Sequence, residues 1–315
     1  MEKRSPLKIM IEWVHSNRTV VIKKRLVFLA LSGIIFISGA CDKAIRFGVV
    51  ADCQYYAGPS LATRYYSQSL SKLKESIARF NQEKVDFVVN LGDTVDRSFQ
   101  SFDSILPLFR EPQAPVYHVL GNHDFNVEEE NQDKILPKFR MKRSYYAFPK
   151  GKWRFIMLDG CELRIPFPKD ESLRREAEAL YQELRAKGKR NALSWNGGIS
   201  RKQMDFLERE LEKSQKSDKP VIVICHFPVL PEASYNLWND EEVVSLLERY
   251  RCVIAYFSGH NHAGDYILKN RIHYLTFQGM VETPDSNAFA VVTLEKEIIV
   301  VKGFGREPDR ALKIY

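Results

Sequence analysis

The sequence has only five cysteines in 315 residues, and no two are spaced as CxxC. That spacing excludes the common zinc-binding frameworks. The sequence also has no apolar run of about twenty residues, the length a membrane-spanning helix needs. The run from Leu26 to Ala40 is about fifteen residues and is broken by Ser32, Gly33, Ser38 and Gly39. There is no internal repeat, low-complexity tract or long linker. A concentrated basic face is missing too. The formal charge is +7, but residues 1–40 hold seven Lys or Arg and two Glu, so the remainder carries about +2 with signs alternating. Binding through phosphate neutralisation needs clustered basic groups, so no nucleic-acid partner is expected.

What the front end does contain is ordered. Lys23-Lys24-Arg25 precede the short apolar run, and small residues Ser38-Gly39-Ala40 lead into Cys41. A basic flank, a short apolar core and small residues before a cut point describe a signal peptide over residues 1–40. The Ser-Gly-Ala-Cys ending resembles a bacterial lipoprotein signal, although that pattern usually has Leu where Ser38 stands. The resemblance implies lipidation at Cys41, export to a bacterial cell envelope and a membrane contact through the lipid. An uncleaved anchor is the second reading. Cys53, Cys161, Cys225 and Cys252 could then pair in an oxidising compartment, in an order the sequence does not give. Cys53 and Cys225 fit better as small buried residues.

The rest of the chain has ordinary globular composition, 44% hydrophobic and 28% charged. Five apolar runs end in polar groups. Phe47–Val50 lead into Asp52 and Gln54, and Phe87–Val89 into Gly92-Asp93 and Asp96. Val116–Leu120 lead into Gly121-Asn122-His123-Asp124, and Val221–Ile224 into His226. Val253–Phe257 lead into Gly259-His260-Asn261-His262. Short runs rich in β-branched and aromatic residues read as buried strands. Residues i and i+2 of an extended segment share a side, so His260 and His262 can aim at one point. In open α/β sheets, sites form beyond the carboxyl ends of the strands.

Between these runs, Ala62–Gln82 has helical spacing through Tyr66, Leu70, Leu73, Ile77 and Phe80. Ser101–Arg110 reads as a shorter helix, and Tyr145–Phe148 with Trp153–Leu158 as a hairpin. The 159–195 stretch, with Pro166, Pro168 and a charged helix over Glu171–Lys187, reads as an insertion near the site mouth. Ser200 caps a helix through about Leu211, and another surrounds Glu241–Tyr250. Four strands follow within 266–301. This order predicts one layered α/β domain over residues 41–315, with mixed sheets. His118 and His273 fit best as structural histidines.

In order, the polar groups are Asp52-x-Gln54, Gly92-Asp93-x-x-Asp96, Gly121-Asn122-His123-Asp124, His226 and Gly259-His260-x-His262. The set resembles the calcineurin-like metallophosphoesterases, whose pattern is DxH, GDxxD, GNH(D/E), H, GHxH. The resemblance implies an α-β-β-α sandwich with its site at the carboxyl ends of the strands. It implies hydrolysis at two divalent metals about 3.5–4 Å apart. One metal would take Asp52, Gln54, Asp93 and His262. The other would take Asp93, Asn122, His226 and His260, with Asp93 bridging. His123 would face substrate as the catalytic residue. Asp96 and Asp124 would orient ligands and loops.

Gln54 stands where most of that family has His. Its amide oxygen is a harder donor than imidazole and suits Mn²⁺, with Fe²⁺, Mg²⁺ or Zn²⁺ as the other candidates. Asp-x-Gln followed by Tyr resembles the Mn²⁺-dependent ADP-ribose/CDP-alcohol diphosphatases, which implies a small phosphorylated substrate with a phosphoanhydride bond. Asn196-Gly197-Gly198, before a Gln203-x-x-x-Leu207 helix, looks like a second feature of that group and would touch substrate. An ordinary turn is the alternative there. Phosphomonoester or phosphodiester hydrolysis, a tethered protein with a degenerate site, and a nuclease are the competing functions.

Overall fold

The apolar runs are buried strands, and they stack as two sheets. The computed structural model describes residues 44–315. Sheet one contains β1 (Ile45–Val50), β2 (Phe87–Asn90), β3 (Val116–His118), β10 (Ala288–Leu294), β11 (Ile298–Gly305) and β12 (Arg310–Lys313), ordered β12-β11-β10-β1-β2-β3. Sheet two contains β4 (Tyr146–Lys150), β5 (Trp153–Met157), β6 (Val221–Ile224), β7 (Val253–Ser258), β8 (Asp265–Lys269) and β9 (Ile272–Thr276), ordered β4-β5-β6-β7-β9-β8. Sheet one has its parallel strands β1-β2-β3 at one edge and antiparallel strands on the other side, and sheet two has a parallel core flanked by antiparallel β4 and β8, so both sheets are mixed. The short strand β12 is absent from the sequence expectation; Arg310-Ala311-Leu312-Lys313 offers one buried apolar side chain, Leu312.

Side-chain alternation sorts the layers. Phe47, Val49, Phe87 and Val89 face Phe155, Met157, Ile224 and Phe257 across the gap between the sheets. The Phe47 and Phe155 rings meet edge-on at 5.7 Å. Val50 and Val88 point the other way, towards Leu73, Ile77 and Phe80 of the Ser69–Glu83 helix. On sheet two, Val221 and Val223 share a core with Leu207, Leu211, Val243 and Leu247 of the Arg201–Lys216 and Asp240–Glu248 helices. The result is the expected α-β-β-α sandwich. Gly48 is needed in β1 because a Cβ there would lie 2.7 Å from the Phe80 ring.

The expected insertion has a core of its own. Asp170 caps the Glu171–Ala186 helix by accepting the Leu173 N–H at 3.0 Å. Leu163, Ala177, Leu184 and Ala192 pack round Trp238. Cys53, Cys161, Cys225 and Cys252 are all free thiols, and the first three are buried. Residues 1–40 and Cys41 lie outside the described residues.

His118 is the satisfied core histidine the sequence suggests. Its ring lies between Phe109 and Phe139 and its Nδ1 takes a hydrogen bond from Asn90 at 3.2 Å. Burial lowers its pKa from 6.5 to about 4. Between those values the unfolded chain binds a proton that the folded chain refuses. Stability is therefore whole above about pH 6.5 and falls as pH drops towards 4, by about 3 kcal/mol in all. Urea unfolding of the wild type and His118→Gln across this range should show the larger loss in the wild type. Parallel slopes for the two proteins would refute it.

Candidate metal centre

The parallel strands β1, β2, β3 and β6, β7 end on one edge, and the polar residues follow those ends. The chain must turn sharply there. Asp52, Gln54, Asp93 and His260 all adopt left-handed backbone, with φ of 51°, 44°, 51° and 66°. Non-glycine residues pay roughly 1 kcal/mol or more for this conformation, so it persists only where surrounding structure enforces it. Here the backbone is pinned. Asp52, Gln54 and Tyr55 N–H groups donate to the carbonyls of Gly92, Asp93 and Thr94. The Asp52 carboxylate accepts the His260 N–H at 3.1–3.2 Å, tying β1 to β7 across the sheets.

Hydrogen bonds outside the cluster fix its tautomers. His226 Nδ1 lies 2.8 Å from the Leu91 carbonyl, so Nδ1 carries the proton and Nε2 presents its lone pair. Asn196 spends its amide nitrogen on the Asn191 and Ser234 carbonyls, so its oxygen accepts from His260 Nε2 at 2.9 Å. His260 then presents a lone pair at Nδ1. Glu282 does the same for His262, accepting at 2.7 Å from Nδ1 and freeing Nε2.

Acceptors therefore face acceptors. His226 Nε2 lies 3.2 Å from His260 Nδ1, 3.2 Å from Asn122 Oδ1 and 3.4 Å from Asp93 Oδ2. Asp93, His226 and His260 bring one donor atom each within 4.8 Å of one another. On the other side, His262 Nε2 lies 3.5 Å from Asp52 Oδ1 and 3.2 Å from the Gln54 amide nitrogen. That nitrogen donates to Asp93 Oδ2 at 3.0 Å, while Gln54 Oε1 is buried without a hydrogen-bond partner. Turning the amide over would place its oxygen among these lone pairs. With the amide so turned, Asp93 Oδ2 sits between two acceptor clusters. Such an arrangement is favourable only around cations, and these residues fit two of them.

The electrostatics agree. Burial opposes charge on Asp93, but His226, His123 and His260 outweigh it and hold the carboxyl well below the usual range. Burial likewise opposes charge on His226; the Asp93 carboxylate overcomes it and lifts the imidazole to about 9. His262 is lifted to about 9 against its own burial by Asp52, then Glu282. Protons and divalent cations would compete for these nitrogens.

His123 sits apart from the lone pairs. Its backbone N–H donates to Asp93 Oδ1 at 2.7 Å and its Nδ1 lies 2.9 Å from Asp96 Oδ1. Its Nε2 faces the cavity, 3.3 Å from Arg64 Nη1. Asn126 donates to the same Asp96 oxygen at 2.7 Å. Asp124 accepts the N–H groups of Thr94 and Gly121 at 2.8 and 3.0 Å, lacing the two loops together. Burial, then the Asp93 charge, raises Asp124 to about 7.

The structure brings together every expected residue of the five motif blocks. It treats Asn196-Gly197-Gly198 differently. All three are buried, and the Asn196 amide is committed to backbone carbonyls and His260. A Cβ on Gly197 would overlap the Gly160 carbonyl. This turn positions a histidine instead of reaching for substrate with its glycines. Three contributors carried no sequence signal: Arg64, Glu282 and Lys72. The buried Lys72 ammonium donates to the carbonyls of Met280, Glu282 and Thr283 at 2.6–2.9 Å, holding the loop that bears Glu282. Burial lowers its pKa to about 8.

A family model described as calcineurin-like phosphoesterase matches residues 45–264, most of the described chain. The chain belongs to the calcineurin-like phosphoesterases. Like the family, it is a metal-dependent hydrolase. Among its relatives in this family is a Xenopus laevis protein named manganese-dependent ADP-ribose/CDP-alcohol diphosphatase. It is 31% identical over 322 residues, covering 84% of this chain and 89% of the relative. An Oryza sativa protein of the same name is 27% identical, covering 88% and 96%. A solved structure named as a dimetal phosphatase from Danio rerio superposes with a TM-score of 0.77 at 25% identity, covering 86% of this chain and 99% of that one. These comparisons correct one expectation. The relatives named above come from an animal and a plant, so the assignment to a bacterial envelope is withdrawn. No described helix is long and apolar enough to cross a membrane.

Proposed function

We propose that this chain hydrolyses the phosphoanhydride bond of nucleoside diphosphate-linked compounds of the ADP-ribose or CDP-alcohol type, with two divalent cations and Mn²⁺ favoured. Gln54 carries the reading. It puts an amide where most of the family has imidazole, its oxygen is orphaned beside two acceptor clusters, and the diphosphatase names of the relatives agree with it.

Asp52, Gln54, Asp93 and His262 would hold one cation, and Asp93, Asn122, His226 and His260 the other. The pair would neutralise phosphate charge and make a hydroxide available near neutral pH. The protein groups supply the rest. Arg64 Nη1 stands at the cavity wall, where it donates to a phosphoryl oxygen. His123 Nε2 faces the same space; in the imidazolium form, with Nδ1–H held by Asp96, it would give its Nε2 proton to the leaving oxygen, be left neutral and take a proton back from solvent. Glu282 sets the His262 tautomer and Asn196 that of His260.

The test uses metal-stripped protein given Mn²⁺, Mg²⁺ or Zn²⁺. ADP-ribose, a CDP-alcohol, p-nitrophenyl phosphate and bis-p-nitrophenyl phosphate are compared, with a phosphatase added to detect nucleoside monophosphate. Mn²⁺-dependent cleavage of the two diphosphates in preference to the nitrophenyl esters is expected. Cleavage of the esters alone would overturn the substrate reading, and equal activity without added metal would overturn the two-cation reading.

Glu282→Gln tests the outer support. It keeps shape but removes the charge that orders His262. Mn²⁺ affinity should fall roughly 10–100-fold, as read by calorimetric titration. Unchanged affinity would mean that His262 is oriented by packing alone.

A further inference from the structure

A second cavity adjoins the metal site. The metal-site cavity, about 380 Å³, and its neighbour, about 370 Å³, share Asn122, His123 and Trp195 as walls. The motif residues stop at that shared wall. Beyond it the lining mixes Phe125, Ile165 and Pro166 with Arg164 and with the amides of Asn126, Gln132 and Asn196.

Two of these residues are in unusual states. Arg164 lies with its guanidinium 4.2 Å over the Phe125 ring. Its Nη1 donates to the Cys161 carbonyl at 3.3 Å, but its Nε is buried with no hydrogen-bond partner. Among the described residues it has no carboxylate at ion-pair distance. A guanidinium on a cavity wall with no carboxylate opposite it keeps its charge uncompensated, which favours an acceptor in that cavity. Trp195 is 49% exposed, whereas Trp153 and Trp238 are fully buried. An indole is a large apolar surface, and its exposure on the wall common to both cavities leaves a stacking face open.

The two features together select a ligand class. The amide nitrogens of Asn126, Gln132 and Asn196 are spent on Asp96, the Phe125 carbonyl and the Asn191 and Ser234 carbonyls, so few donors remain for a second phosphate. A planar ring with acceptor atoms suits both the open indole and the one guanidinium on the wall. We propose that the second cavity seats the nucleobase of the substrate, with Trp195 as its stacking face and Arg164 as the donor to a ring acceptor. This deepens the diphosphatase reading and rests on it for the phosphates, which span the shared wall at His123. It makes Arg164 and Trp195 specificity determinants for nucleotide-linked substrates.

The test measures binding to the Mn²⁺-loaded full chain by calorimetry, using AMP, CMP and ribose 5-phosphate, a phosphate without a base. Wild type should bind the two nucleotides more tightly than ribose 5-phosphate. Trp195→Ala and Arg164→Met should each weaken AMP and CMP on the order of tenfold, with ribose 5-phosphate changed less than twofold. Trp195 is exposed, so its variant tests the idea even if Arg164→Met fails to fold. Equal weakening of all three ligands, or no weakening, overturns the base seat. So does wild-type binding that ignores the base. Cleavage of ADP-ribose and the CDP-alcohol by wild type is scored separately. Its absence alongside base-dependent binding overturns the diphosphatase reading and leaves the base seat standing.

Discussion

Asp93→Asn should lower kcat/KM for the diphosphate substrates roughly 10²- to 10⁴-fold, the effect of removing one partner from a buried charged cluster. The carboxylate is wholly buried and serves both acceptor clusters through Oδ2, while Oδ1 holds the His123 N–H. Asn preserves the shape and the Oδ1 contact. It removes the charge, and it points an N–H₂ group at atoms that are themselves meant to bind cations. The loss should therefore come with weaker Mn²⁺ binding at both positions and little change in the fold. Calorimetric metal titration together with circular dichroism decides this. Full activity would remove Asp93 from the bridging role, and a variant that loses one ion but keeps the other would place it in a single coordination sphere.

Gly121→Ala should be nearly as damaging from a residue with no side chain to offer. A Cβ there would overlap Asp93 Oδ1 and the Asp93 backbone nitrogen, and would lie 2.8 Å from Cγ. None of these atoms is the free end of a flexible side chain. Either the Asp93 carboxylate leaves its position or the Gly121–Asp124 loop retreats and takes Asn122 and His123 with it. Overpacking of this kind costs roughly 1–3 kcal/mol. For a domain of this size that is a melting temperature lower by several degrees. Metal occupancy should fall below two ions per chain. Scanning calorimetry with metal analysis checks both, and an unshifted melting temperature with two ions bound would show that the loops accommodate the methyl.

The five strands that build the site were legible because buried parallel strands read as short apolar runs, and the chemistry sits just past each one. Ser200 announced a helix start, and it does cap the Arg201–Lys216 helix by accepting the Gln203 N–H. Glu282 and Lys72 were illegible for a physical reason. Glu282 meets His262 only because β8 and β9 fold back antiparallel, and because Met280 and Val281 N–H groups dock on Ala51 and Asp52 carbonyls. Neither contact leaves a periodic trace. Arg164 was hidden likewise: its partner Phe125 belongs to a different loop, and a lone Arg between Leu163 and Ile165 in a proline-bearing stretch has no periodic pattern to place it. Asn196-Gly197-Gly198 was visible as a turn, but its inward direction depends on the Gly160 and Leu163 backbone against which it closes.

The tie between Asp52 and the His260 N–H joins residues 208 positions apart. It also marks when in the life of the chain the centre can first exist. Asp52, Gln54, Asp93 and Asn122 lie on loops of sheet one, whereas His226, His260 and His262 follow strands of sheet two. A ribosome-bound chain that has released only its first half carries the carboxylates and amides but not His226, His260 or His262 to meet them. Metal loading must therefore wait until the strand ending at Ser258 has emerged and docked, and Glu282 arrives later still. The first half must remain soluble and correctly turned until then, using hydrogen bonds alone.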